Sequence, residues 1–236
     1  MTDAVQPGGR SRGARNPVGS LLRRAVLPVP RDRRPRRFAQ LLLGLGLYGF
    51  SMALMIRGRL GVDPWDVFHL GLNHLLHWDL GLLIVVVSVV VLLAWIPMRQ
   101  RPGLGTLANV VLIGAATSGT LALVPAPSAM GLRVAFLVSG VALNGLAGAL
   151  YIGAGLGPGA RDGLMTGLVA RGWGSVRLVR TCIEVAVLAV GWVLSGTLLG
   201  GPVGPGTVLY AAAIGPIVHW FLPRLAVGRE VAGNEG

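Results

Sequence analysis

The sequence predicts an all-α membrane protein of about six transmembrane helices, arranged as two inverted three-helix repeats, each with a short broken or re-entrant helix. Three observations carry this. First, the chain is apolar: 53% of its 236 residues are hydrophobic and 13% are charged, with a mean hydropathy of +0.68. Several windows of about 20 apolar residues occur, the length that crosses a bilayer core of roughly 30 Å. Second, Gly- and Pro-rich segments that still carry charge interrupt the apolar runs, as in "GLGPGARDGLMTGL" (Gly155–Leu168). Third, the chain matches itself.

The six windows are Phe38–Ile56, Leu80–Met98, Leu104–Val124, Val134–Ala154, Leu178–Leu199 and Thr207–Leu222. Trp78, Trp95, Trp173 and Trp220 fall near their ends, where amphipathic rings sit at headgroup level. "VPAPSAMG" turns the chain after the third. Asp66–His77 is too short and too polar for a crossing and reads as the broken helix.

A shift of about 96 residues lays "RLGVDPWDVFHLGL" (Arg59–Leu72) on "GLGPGARDGLMTGL". Leu60, Gly61, Asp66, Gly71 and Leu72 meet Leu156, Gly157, Asp162, Gly167 and Leu168. Gly44, Gly49, Ala53 and Ile56 meet Gly140, Gly145, Ala149 and Ile152. After a short insertion, "GLGT" at Gly103–Thr106 meets "GPGT" at Gly204–Thr207. The domains are therefore residues 1–37, an Arg-rich cytoplasmic arm expected to be disordered; 38–130, the first membrane repeat; 131–224, the second; and 225–236, a cytoplasmic tail. Three spans per repeat invert the second copy. Inverted repeats with interrupted segments at matching positions are a pattern of secondary transporters, in which the breaks mark the binding site.

Charge sets the orientation. The net charge is +12, the chain has no lysine, and about half of its arginines precede Phe38. With six spans, every arginine-rich segment except Arg57/Arg59 falls on one face, which places both termini in the cytoplasm. The arm reads as a topogenic signal attracted to anionic lipid headgroups. A nucleic-acid partner is not expected, because no recognition fold accompanies the charge. Nor does the arm read as a signal peptide.

The chemistry-bearing residues are few. Cys182 is the lone cysteine, which excludes a thiolate metal cluster within the chain. The lack of lysine excludes a Walker A loop and a lysine Schiff base. Neither G-x-S-x-G nor H-E-x-x-H occurs. His74 and His77 share a helical face but lie beside Trp78 at a membrane boundary, and no metal or cofactor is expected. The chain does not read as an enzyme.

The broken segments hold the best site candidates. Asp63 and Pro64 are suited to an N-cap and a first helical position. Asp66 and Asp162 then occupy matching first turns. They read either as caps that offset the macrodipole or as ligands for a cation or proton, with Arg161 meeting an anionic group. Glu184 lies inside the fifth span, where an ionisable residue is a functional candidate, and Arg180 stands four residues before it as a structural partner. Asn109 and Asn144 are milder candidates that interhelical hydrogen bonds would explain.

"GVDPWDVFHLGL", "WIPMRQRPGLGTLANVVLIG" and "ALYIGAGLGPGARDGLMTGL…RLVRTCIEV" resemble the YczE branch of the YczE/YyaS/YitT membrane proteins. The resemblance spans Phe38 to Pro223. It implies a multi-pass protein of the bacterial inner membrane and carries over no substrate or catalytic residue. Two functions are open: a transporter or permease for a small solute of unknown identity, and a non-transporting scaffold or accessory protein for a biosynthetic or secretion complex. Homo-oligomerisation is compatible with either.

Overall fold

A computed structural model describes residues 26–196 and 201–228. Among these residues every regular element is a helix. They are α1 (Arg34–Gly58), α2 (Pro64–Leu76), α3 (Leu80–Leu93), α4 (Trp95–Met98), α5 (Leu104–Leu123), α6 (Met130–Gly153), α7 (Ala160–Val169), α8 (Val176–Leu194) and α9 (Pro205–Leu225). Five stretches are long and apolar enough to cross a membrane: α1, Leu80–Met98 (α3 with α4), α5, α6 and α9. The expected fifth span, Leu178–Leu199, corresponds to α8, a helix of 19 residues. Arg177, Arg180 and Glu184 in its first half keep it out of that set. Its expected end at Leu199 lies outside the described residues.

The breaks form where the local chemistry directs them. Asp63 caps α2: its Oδ1 accepts the Asp66 N–H at 2.7 Å, and Pro64 follows in the first turn. Asp79 caps α3 by accepting from Leu82 N–H at 2.9 Å. Ser175 caps α8 by accepting from Leu178 N–H at 3.2 Å.

At the centre α1 and α6 cross antiparallel through small residues. A Cβ on Gly44 would fall 2.8 Å from the Tyr151 backbone N, and one on Gly140 would fall 3.1 Å from the Ser51 carbonyl. Two arginines lock the ends of this pair. Arg37, at the start of α1, donates to the Ala154 carbonyl at the end of α6 (2.7 Å). Arg133, at the start of α6, donates to the Gly58 carbonyl at the end of α1 (2.9 Å). Both satisfy carbonyls that a helix end leaves unpaired. Arg57 does the same for the Leu121 carbonyl at the end of α5. These bonds account for arginines on the face that the charge pattern otherwise leaves unoccupied.

Around this pair, matching segments make matching contacts. The Leu60 carbonyl accepts from Gly206 N–H at 2.7 Å, and the Leu156 carbonyl accepts from Gly105 N–H at 2.8 Å. Each break thus seats on the helix start that follows "G-x-G-T" in the other half. Gly61 and Gly157 make these turns with φ of 114° and 119°, a region that L side chains enter only with strain. Each short helix also packs on the other half: α2 lies on α8, with Gly71 against Gly191, and α7 lies on α3 and α4, with Gly163 against the Trp95 ring.

The expected disordered arm is partly outside the described residues (1–25), as is the tail from 229. The remainder differs from that expectation. Residues 26–37 are placed, because Arg37 is buried and Leu27 N–H donates to the Pro102 carbonyl at 3.0 Å. The start of the tail is also anchored: Val227 is buried, and its N–H donates to Gly153 at 2.8 Å. Hydropathy places the first span at Phe38 because arginine scores as polar there, whereas Arg37 is satisfied by a helix-end carbonyl and by Asp32 at 2.8 Å.

Candidate functional site

The starts of α2 and α7 face a common cavity of about 70 Å³. Its walls come from Asp63–Trp65 on one side and Gly159–Asp162 on the other, closed by Tyr48 of α1, Asn109 of α5, Tyr151 of α6, Arg180 and Glu184 of α8, and Tyr210 of α9. Tyr48, Tyr151, Asp162, Arg180 and Tyr210 also line a second space of about 250 Å³, which runs between α6 and α9 past Asn144 to His219. The chain has three tyrosines, and all three converge here.

The charges inside are unevenly paired. Asp162 Oδ2 accepts from the Tyr151 hydroxyl at 2.7 Å. Arg180 and Glu184 form an ion pair at 2.8 Å. Asn144 is wholly buried, donates to Ser51 Oγ at 2.9 Å and accepts from the Tyr210 hydroxyl at 3.1 Å. Arg161 and Asp63 are different. Their closest approach is 4.0 Å, too long for a hydrogen bond. Asp63 is 1% exposed and its Oδ2 has no hydrogen-bond partner. The Arg161 guanidinium lies 5.1 Å from the Trp65 ring centre, a cation–π contact. Its N–H donors make no hydrogen bond to any described residue. At the start of α7, Gly159 provides no side-chain cap, so first-turn N–H groups also face the cavity.

The structure brings together most of the residues the sequence singles out. Asp162, Arg161, Glu184, Arg180 and Asn109 line the first cavity, and Asn144 lines its continuation. Asp66 stands apart. It is buried behind Asp63, with Oδ1 3.3 Å from His69 Nδ1, and it does not line either space. The two aspartates at matching positions therefore have different surroundings, and the carboxylate in the cavity from the first half is Asp63. Asp63 reads from sequence as a cap only, and it is one through Oδ1. Its second oxygen is what reaches the site.

The aromatic lining is the other feature that sequence reasoning missed. A tyrosine inside an apolar window looks like an ordinary span residue. Alignment of the halves does contain a signal. At a shift of 96, Tyr48 meets Asn144, and at the shift of 101 that aligns "GLGT" with "GPGT", Asn109 meets Tyr210. Each half supplies one Tyr and one Asn to the site, in exchanged positions. Tyr151 and Trp65 show no such pairing. Among the described residues no cluster of His, Cys, Asp or Glu could hold a metal ion.

The comparisons agree with the resemblance seen in the sequence. An uncharacterized protein of Haemophilus influenzae is 38% identical over 186 residues, which cover 79% of this chain and 83% of that protein. The uncharacterized membrane protein YczE of Bacillus subtilis is 34% identical over 186 residues, covering 77% of this chain and 83% of that protein. No solved structure matches. With its apolar helices, the chain is a multi-pass membrane protein. The model of the family of unknown function DUF6198 matches residues 35–223, and the chain belongs to that family.

Proposed function

We propose that this protein is a transporter for a small solute, built from two inverted repeats that hold the solute between the starts of their two short helices. The observation that carries the reading is the polar, aromatic-lined cavity between α2 and α7. Polar groups inside a membrane protein are costly unless they serve a ligand, an ion or one another, and here Asp63 and Arg161 serve neither each other nor the fold completely. The antiparallel α1–α6 pair and the reciprocal contacts of the two breaks support the inverted relation. Such an arrangement can expose one site alternately to the two sides by rocking one half on the other. The arginine-rich segments favour cytoplasmic termini in a bacterial inner membrane. Six crossings require α8 to enter the bilayer with Arg180 and Glu184 paired and turned to the cavity.

The test is a ligand screen on purified protein, followed by uptake of the hit into liposomes. The expected outcome is uptake that falls at least about tenfold, or 1.4 kcal/mol, in Asp162→Asn and in Asp63→Asn. Asp66→Asn, behind the wall, has the smaller effect. A protein that binds no ion, amino acid, organic acid or lipid, and instead retains a stable partner through mild detergent, is the scaffold.

A further inference from the structure

The cavity holds a buried acceptor and a partly exposed donor set side by side, without a hydrogen bond between them. Asp63 Oδ2 has no hydrogen-bond partner. Arg161, 4.0 Å from it, offers N–H donors that no described residue accepts. Two opposite charges this close would ordinarily bond directly, because a buried pair that stops short leaves both groups poorly satisfied. What holds them apart is visible. Asp63 is fixed by capping α2 through its other oxygen, and Arg161 rests on the Trp65 ring. On the Arg161 side lies the start of α7, whose Gly159 offers no side-chain cap and whose first turn carries Asp162. Tyr48, Tyr151 and Tyr210 complete the lining. Of the other charged groups in the cavity, Glu184 pairs with Arg180, and Asp162 accepts a hydrogen bond from the Tyr151 hydroxyl.

We infer that the solute is a zwitterion of the α-amino-acid type, whose carboxylate takes Arg161 and the start of α7 while its protonated amine takes Asp63 Oδ2. This rests on the transport reading and names its substrate class. A simple cation would use Asp63 but leave Arg161 unsatisfied and facing a like charge. A simple anion would leave the Asp63 oxygen unsatisfied and would lie close to it. In α-amino acids the amine and the carboxylate sit on adjacent carbons, so one small molecule spans a donor and an acceptor that are nearly in contact. Charge also argues against acidic side chains, since Asp63, Asp162 and Glu184 already line the space.

The experiment titrates the purified full-length protein in detergent with each standard amino acid, reading thermal shift and heat of binding. The best binder is then compared with its own methyl ester, a cation, and its own N-acetyl form, an anion. The zwitterion is expected to bind at least about tenfold more tightly than either derivative. Arg161→Gln is expected to abolish the preference over the ester, with Arg161→Lys restoring part of it. Asp63→Asn, which keeps a cap on α2, is expected to abolish the preference over the N-acetyl form. An ester that binds as well as the free amino acid overturns the inference in favour of a cation, and an equally good N-acetyl form overturns it in favour of an anion. Both results leave transport standing. Binding by no amino acid overturns it outright. If a variant fails to fold, the three wild-type affinities still decide. An amino acid that binds but is not taken up into liposomes preserves this inference and removes the transport reading.

Discussion

The seam between α3 and α5 and the space between α8 and α9 occupy corresponding places in the two halves, and they are built differently. In the first half, α3 lies directly on α5. A Cβ on Gly114 would fall 2.5 Å from the Gly81 carbonyl and 2.8 Å from Val85 Cγ2. Ser118 ties the seam by donating to Asp79 at 2.7 Å and accepting from Gly81 N–H at 3.2 Å. In the second half, Gly215 aligns with Gly114, yet nothing lies within 4 Å of its would-be Cβ. Gly215 instead lines the space of about 250 Å³ that runs between α6 and α9, past Arg180 of α8, to the cavity. The same small residue closes one seam and leaves its counterpart open.

The largest effect should separate these two glycines. Gly114→Val forces α3 away from α5, and overpacking against backbone costs about 3 kcal/mol. Gly215→Val meets open space and stays within about 0.5 kcal/mol. Thermal unfolding in one detergent reads both. Equal losses would mean that the α8–α9 gap is closed in the protein as purified, and the comparison would break.

The second effect tests where the halves agree. Gly61→Ala and Gly157→Ala each place a Cβ at positive φ and against backbone, 2.8 Å from Thr207 N in one case and 2.7 Å from the Gly103 Cα in the other. Each should cost about 2 kcal/mol, and the two losses should match closely. A large inequality would show that the two breaks are not equivalent supports.

A third and smaller effect sits in the exchanged Tyr/Asn positions. Tyr210→Phe removes the hydrogen bond to the wholly buried Asn144 and should cost about 1 kcal/mol. Tyr48→Phe faces the cavity, where water can replace the lost hydroxyl, and should cost less. Unfolding in the absence of any ligand measures the difference.

These contrasts also show what the sequence could reveal. Periodicity and composition identify the apolar helices because a bilayer imposes length and apolarity on each one separately. The self-match identifies the breaks because Gly61 and Gly157 must both turn at positive φ. Asp162 and Arg161 were legible as site residues, since charge next to a break is costly wherever it points. Direction was not legible. Asp63 and Asp66 stand three residues apart, and only the rotation of α2 about its cap decides that Asp63 reaches the cavity while Asp66 turns to His69. The tyrosines were hidden for a related reason. Their rings satisfy hydropathy, and their hydroxyls become informative only when three helices bring them together. The open α8–α9 gap is a property of packing, so Gly114 and Gly215 look alike until their neighbours are placed.

The smallest effect concerns the tie that closes the first seam. Asp79 lies at the exposed start of α3, and the hydrogen bond from Ser118 holds its carboxyl below the ordinary range, helped by the Leu82 N–H. A carboxylate whose folded pKa is depressed adds stability above its unfolded pKa, about 4. That stability is lost as pH falls through the lower folded value. Wild type should therefore lose stability below about pH 4 by a little more than Ser118→Ala does. Screening at this exposed position limits the difference to about 0.5 kcal/mol. Among the described residues no carboxylate makes such a tie between α8 and α9, so acid should loosen only the closed side. Hydrogen exchange of the α3 and α5 amides at pH 6 and at pH 3, set against those of α9, reads this directly. Faster exchange in α3 and α5 alone would place the acid-sensitive latch at Asp79, whereas equal change in α9 would show that the two seams respond as one.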